Sequence, residues 1–245
     1  MNRIEVVGEI CQIILDNGAQ NYLTSPEFIS PFDLSKIINN KKCKAILVTG
    51  TGRHFSAGAD QESLFKMANE NNLEAEISKG LSLFQLIRSF YLPIIACIEG
   101  ACFGGGLEIA LLADVKFASR KAMFAFPESN LGVMPGLGGI FETARITGKA
   151  NTLDLVLRGD VISADAAMDL NLIDYLVDAK TTFENGISMA KRLIQSRDIE
   201  VIKAVVESVR NAAILEYEKA MERETGLFCN LAKLALKRKY LGKDN

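Results

Sequence analysis

Along this chain, apolar positions fall into two patterns, short uninterrupted or β-branched runs and longer stretches with helical spacing. Arg3–Val7 and Ile10–Leu15 are two β-prone runs separated by Gly8 and Glu9, which predicts a hairpin. The next strand is read at Ala45–Thr49. Between them, Ser25 and Pro26 carry the signature of a helix start, with Phe28, Phe32 and Ile37 on the expected buried side. A loop follows from Gly50 to Asp60, then a helical tract over Leu73–Phe90 with Leu81, Phe84 and Ile87 at helical spacing, ended by Pro93.

Ile94–Ile98 reads as a buried strand, Gly104–Leu112 as a helix opened by glycines, and Val115–Ala118 and Met123–Phe126 as two more strands. From Gly136 onward the pattern is mostly helical, broken by a strand-like Ile173–Val177 and closed by a helical tail over Ile214–Tyr240. No linker rich in Pro, Gly or Ser and no strong repeat divides the chain. The expectation is an α/β core over residues 1–180 and a helical region over 181–245, in one continuous domain.

Composition narrows the function without naming it. The 245 residues are 49% hydrophobic and 24% charged, enough for one large core. The 28 basic and 30 acidic residues give a net charge of −2 and no global field for nucleic acid or an anionic membrane. Cys11, Cys43, Cys97, Cys102 and Cys229 show neither a CxxC pair nor a close histidine, which argues against a zinc site and a disulfide framework. The start lacks the features of a signal peptide and no apolar run reaches membrane-spanning length, so a soluble, cytoplasmic protein is expected.

The candidate chemistry lies in three segments. In IIACIEGACFGGGLEIALLAD (Ile94–Asp114), three consecutive glycines, Gly104–Gly106, stand between a strand and a helix. Free N–H groups at such a helix start suit a phosphate or a developing oxyanion. No Walker Lys-Ser/Thr and no GxGxxG follows, so the oxyanion reading is favoured; taken alone, the glycines also fit a tight packing turn. HFSAGAD (His54–Asp60) offers a second donor, the N–H of Ala57 ahead of Gly58. Two carboxylates complete the set: Glu108 in the first helical turn, and Glu128 after Pro127 in FAFPESNLGVMPGLGG. Glu108 by itself would also serve as an acid complementing the helix dipole, and Glu128 as an ordinary turn residue. Asp60 and Asp114 fit capping duty, and His54 flanks the loop.

FSAGAD, GACFGGGLE, Asp114 and FPESNLGVMPGLGG occur in the order and at the separations of the enoyl-CoA hydratases and isomerases, so the sequence resembles the crotonase superfamily. The resemblance implies a spiral of ββα units with a helical C-terminal extension, assembling as homotrimers or hexamers. It implies that Ala57 and Gly105 bind a thioester carbonyl through their N–H groups, with Glu108 and Glu128 as the catalytic acids holding a water. Hydration of a 2-enoyl-CoA, or the reverse, is then the expected reaction. Isomerisation, a thioester on acyl carrier protein, and a non-catalytic scaffold are the alternatives.

No metal or separate cofactor is implied, coenzyme A being part of the substrate. Weaker substrate contacts are Gly58, Asp60, Gly104, Gly136, Arg53, Lys66, Lys239 and Tyr240. Asn21 is the match to the Asn of a family Asn-Ala-Leu, although the basic residue usual beside it is absent from DNGAQNYLT, and Gln61, Glu62 and Ser63 stand where relatives often carry a lysine. Two close carboxylates in an apolar pocket cannot both ionise cheaply, which predicts one raised pKa and a bell-shaped pH dependence.

Overall fold

The computed structural model describes residues 1–241, without the side chains of 239–241. Strands β1 (Arg3–Val7) and β2 (Ile10–Leu15) form the expected antiparallel hairpin, turned at Gly8 with φ +63°. β2 then pairs in parallel with β3 (Ala45–Gly50), which begins a run of parallel neighbours. Helix α1 (Pro31–Asn40) crosses from one to the other.

This helix corrects one expectation. Its cap is Ser30, whose Oγ accepts the N–H of Asp33 at 3.2 Å, with Pro31 as first helical residue. Ser25–Pro26 carries the same dipeptide five residues too early and lies in irregular chain. Phe28 is buried ahead of the helix, Phe32 is exposed, and Leu34 and Ile38 supply the buried stripe.

Helices α2 (Gln61–Asn69) and α3 (Leu73–Ser89) fill the crossover to β4 (Ile94–Ile98). α2 buries no residue and escapes the periodic reading; Asp60 caps it through Ser63 N at 2.9 Å. In α3 the buried positions are Gly80, Leu83, Phe84 and Ile87, while Leu81 faces solvent.

β5 (Ala101–Phe103) leaves the first sheet and leads into α4 (Gly105–Ala110). β6 (Val115–Ser119) returns to it, and β7 (Met123–Ala125) pairs with β5. A 3₁₀ turn (Pro127–Leu131) and α5 (Gly139–Arg158) follow, then β8 (Ile162–Ser163), α6 (Ala164–Asp169) and β9 (Tyr175–Val177). The sheets are ordered β1-β2-β3-β4-β6-β9 and β5-β7-β8. β5 and β8, at three and two residues, are too short to show any period in the sequence.

β2 and β4 are buried along their whole length, as expected of parallel strands covered on both faces. One face, with Cys11, Ile13, Ile46, Val48, Ala96 and Ile98, joins the core under α1, α3 and α4. The other, with Ile10, Leu47, Ile95 and Phe117, packs against Met189, Ala190 and Ile194 of α7 (Thr182–Ile194) and Ile202 of α8 (Ile199–Ala212). α9 (Tyr217–Leu241) lies along α8. Among the described residues, no helix is long and apolar enough to cross a membrane.

Asp114 has the structural duty expected of it, but as a tie between layers. Its Oδ2 accepts the N–H of Ile94 at 2.8 Å and Arg210 Nη2 at 2.7 Å. Arg210 of α8 also donates to the carbonyls of Arg88 at 2.8 Å and Leu92 at 3.0 Å. Removing the guanidinium strands these acceptors, so Arg210→Met is expected to lower unfolding free energy by about 2 kcal/mol. Urea denaturation checks it; an unchanged midpoint would contradict the tie.

Candidate active site

The loop after β3 is held between two partners. On one side Ser56 N donates to Ala101 O at 3.0 Å and Phe103 N donates to Ser56 O at 2.9 Å, so the segment runs beside β5. On the other, Ala57 N donates to Gln20 O at 2.9 Å, Leu23 N to Gly58 O at 2.8 Å and Asp60 N to Leu23 O at 2.8 Å. Gly58 is required here: its φ is +91°, and a Cβ would come within 2.7 Å of Phe103 O.

These pairings correct the donor assignment. The N–H of Ala57 is already spent on Gln20, whereas that of Ala59, an exposed residue, has no partner among the described residues. Gly105 opens α4, and its N–H likewise has no partner among the described residues. A Cβ on Gly105 would lie 4.0 Å from the Ala59 nitrogen. Two unspent backbone donors therefore flank one small region. Spacing alone favoured Ala57 because it precedes the glycine; only the long-range pairing with Gln20–Leu23 reveals Ala59.

Gly104, just before α4, has φ +49° and donates its N–H to Ala125 O at 2.9 Å. A Cβ there would stand 2.7 Å from Glu128 Oε1, so this glycine lets the second carboxylate in. Glu128 sits in the 3₁₀ turn after Pro127, and its Oε2 is buried with no hydrogen-bond partner among the described residues. Burial foremost, opposed by its own backbone N–H and reinforced by the charge of Glu108, pushes its pKa up to about 7.

Glu108 is 4% exposed. Its Oε1 accepts the N–H groups of Leu137 at 2.7 Å and Gly139 at 2.9 Å, so the Gly136–Gly139 turn closes over it. Burial raises the Glu108 pKa, and these two amides work against the rise. The result is a pair of close carboxyl groups of unequal character beside two free amide donors. One can carry a proton at neutral pH while the other accepts one.

The remaining candidates are dispersed. Asn21 is 1% exposed and spends its carboxamide inside the protein, with Nδ2 donating to Thr51 O at 2.9 Å and His54 O at 2.8 Å. It has no group left for a coenzyme. Asp60 is occupied as the α2 cap. Arg53 in the loop and Lys66 in α2 are exposed. Gly136 lies against Ile77 of α3, 3.3 Å from where its Cβ would be. His54 Nδ1 accepts the N–H of Ala101 at 3.0 Å, a structural duty. The side chains of Lys239 and Tyr240 lie outside the described residues.

Parallel strands feeding a glycine turn, with paired carboxyl groups beside it, define a crotonase-type α/β protein. The chain belongs to the enoyl-CoA hydratase/isomerase family, whose model matches residues 5–239. It is 34% identical over 169 residues to the mitochondrial enoyl-CoA hydratase of Pongo abelii, a match covering 69% of this chain and 57% of that one. It is 30% identical over 201 residues to the 2,3-dehydroadipyl-CoA hydratase of Escherichia coli (strain K12), covering 82% and 77%. A solved enoyl-CoA hydratase structure from Geobacillus kaustophilus superposes with a TM-score of 0.84 at 28% identity, covering 100% of this chain and 96% of that one.

Proposed function

We propose that the protein adds water across the C2–C3 double bond of a 2-enoyl-CoA, or runs the reverse dehydration. The observation that carries this reading is the meeting of two unspent amides, Ala59 and Gly105, with two carboxyl groups of which one, Glu108, is held by two amides and the other, Glu128, has a buried oxygen without a partner among the described residues. The thioester oxygen would lie between the amides. As water attacks C3, charge moves onto that oxygen, and each preorganised donor lowers the barrier by about 3 kcal/mol. Glu108, fixed by Leu137 and Gly139, takes the proton of the water. Glu128, protonated, delivers its proton to C2 on the same face. Water adds as a whole, and the glutamates have exchanged protonation states.

The coenzyme A carrier follows the relatives' names and is an inference for this chain. The exposed Val205 and Val209 of α8 and Phe228 and Leu234 of α9 support self-association, and a trimer or hexamer is the proposed assembly.

Crotonyl-CoA mixed with the protein should lose its conjugated absorbance and yield the 3-hydroxyacyl thioester. A product with only a shifted double bond would assign an isomerase, and no turnover on either CoA or acyl-carrier-protein thioesters would end the reading. Because Glu128 must hold its proton, hydration should decline as pH rises through about 7. A rate that stays level from pH 6 to 9 would contradict its role.

A further inference from the structure

We infer that Asn21 is the positioning residue of the oxyanion loop. This inference rests on Ala59 being a donor to the substrate. Asn21 has φ +50°, a left-handed conformation that Asn adopts more readily than most residues. Its carboxamide bridges both ends of the turn leading into the loop, through the carbonyls of Thr51 and His54. Its Oδ1 accepts the N–H of Asn17 at 3.2 Å.

Its own carbonyl takes the next bond, accepting Ser56 Oγ at 2.7 Å, and that hydroxyl accepts the N–H of Gly58 at 3.2 Å. Ser56 is fully buried, so water does not compete. Along this short segment the amides of Ala57, Gly58 and Asp60 each have a fixed internal acceptor, and the amide of Ala59 alone has none among the described residues. The network centred on Asn21 selects which N–H faces outward. Asp cannot replace it, since a carboxylate has no donors for the two carbonyls; Gly can keep the backbone conformation but loses the bridge.

The test uses Asn21→Asp, Asn21→Gly and Ser56→Ala in the full chain. Each is expected to lower kcat for crotonyl-CoA roughly 10–100-fold. KM and the affinity for saturated butyryl-CoA, on which no charge develops, should change less than about threefold. The double variant Asn21→Gly/Ser56→Ala should lose less than the product of the single losses, because both act through one network. Hydrogen exchange at the Ala57 amide should quicken at least about tenfold in each variant that remains folded by circular dichroism.

Wild-type kcat in Asn21→Gly, or a kcat loss matched by weaker butyryl-CoA binding, would overturn the inference. If the unaltered protein turns over no enoyl thioester, the functional reading fails instead. The exchange measurement then still decides whether Asn21 holds the loop.

Discussion

Glu128→Gln is expected to cut kcat for hydration by about 10²–10⁴-fold and to stabilise the fold at alkaline pH. Glutamine matches the shape but carries no acidic proton for C2, so the residual rate should also lose its decline near pH 7. The stability effect follows from the same burial. The Glu128 pKa is raised from an ordinary 4.5 to about 7 in the folded protein, so folding binds a proton between those values. Relative stability is therefore highest below pH 4.5 and is lost as pH rises to about 7. Removing the charge should recover about 2–3 kcal/mol at pH 8 and little at pH 4. Thermal melts at both pH values check it. A variant that is less stable at pH 8 would show that the carboxylate is solvated rather than buried.

The second large effect concerns a backbone atom. Gly105→Pro deletes one amide hydrogen at the first position of α4, where proline is well tolerated because that N–H bonds to nothing within the helix. The nearest atom to an added Cβ is Leu23 Cδ1 at 3.1 Å, the end of a flexible side chain. The substitution should therefore leave the fold largely intact while lowering kcat about 10²–10³-fold. Binding of butyryl-CoA should weaken as well, because the ring Cδ takes the place of the amide hydrogen that would meet the thioester oxygen. A variant that keeps wild-type kcat and affinity would mean that this amide does not meet the carbonyl.

What the sequence reveals depends on how local each cause is. The hairpin, β3 and β4 are legible because unbroken apolar runs of strand length have few other uses. α2 is not, because it buries no side chain and forms beside its Asp60 cap without an apolar stripe. Gly104–Gly106 and Glu108 stand out because a buried strand followed by three glycines and a carboxylate invites a close approach to the backbone, whereas Glu128 is singled out by its place after Pro127 together with the resemblance. The choice between the Ala57 and Ala59 amides is not visible, since it depends on a parallel pairing with Gln20–Leu23 some 36 residues away. Asn21 looked like a ligand contact for the same reason. Its partners Thr51 and His54 are adjacent only after folding.

The decisive measurement is a crystal structure of the protein with an unreactive acyl-CoA thioester bound. The thioester oxygen should lie about 2.7–3.1 Å from the nitrogens of both Ala59 and Gly105, with C2 and C3 facing Glu128 and Glu108. An oxygen held elsewhere, or held by one amide with the glutamates turned away from the double bond, would contradict the account.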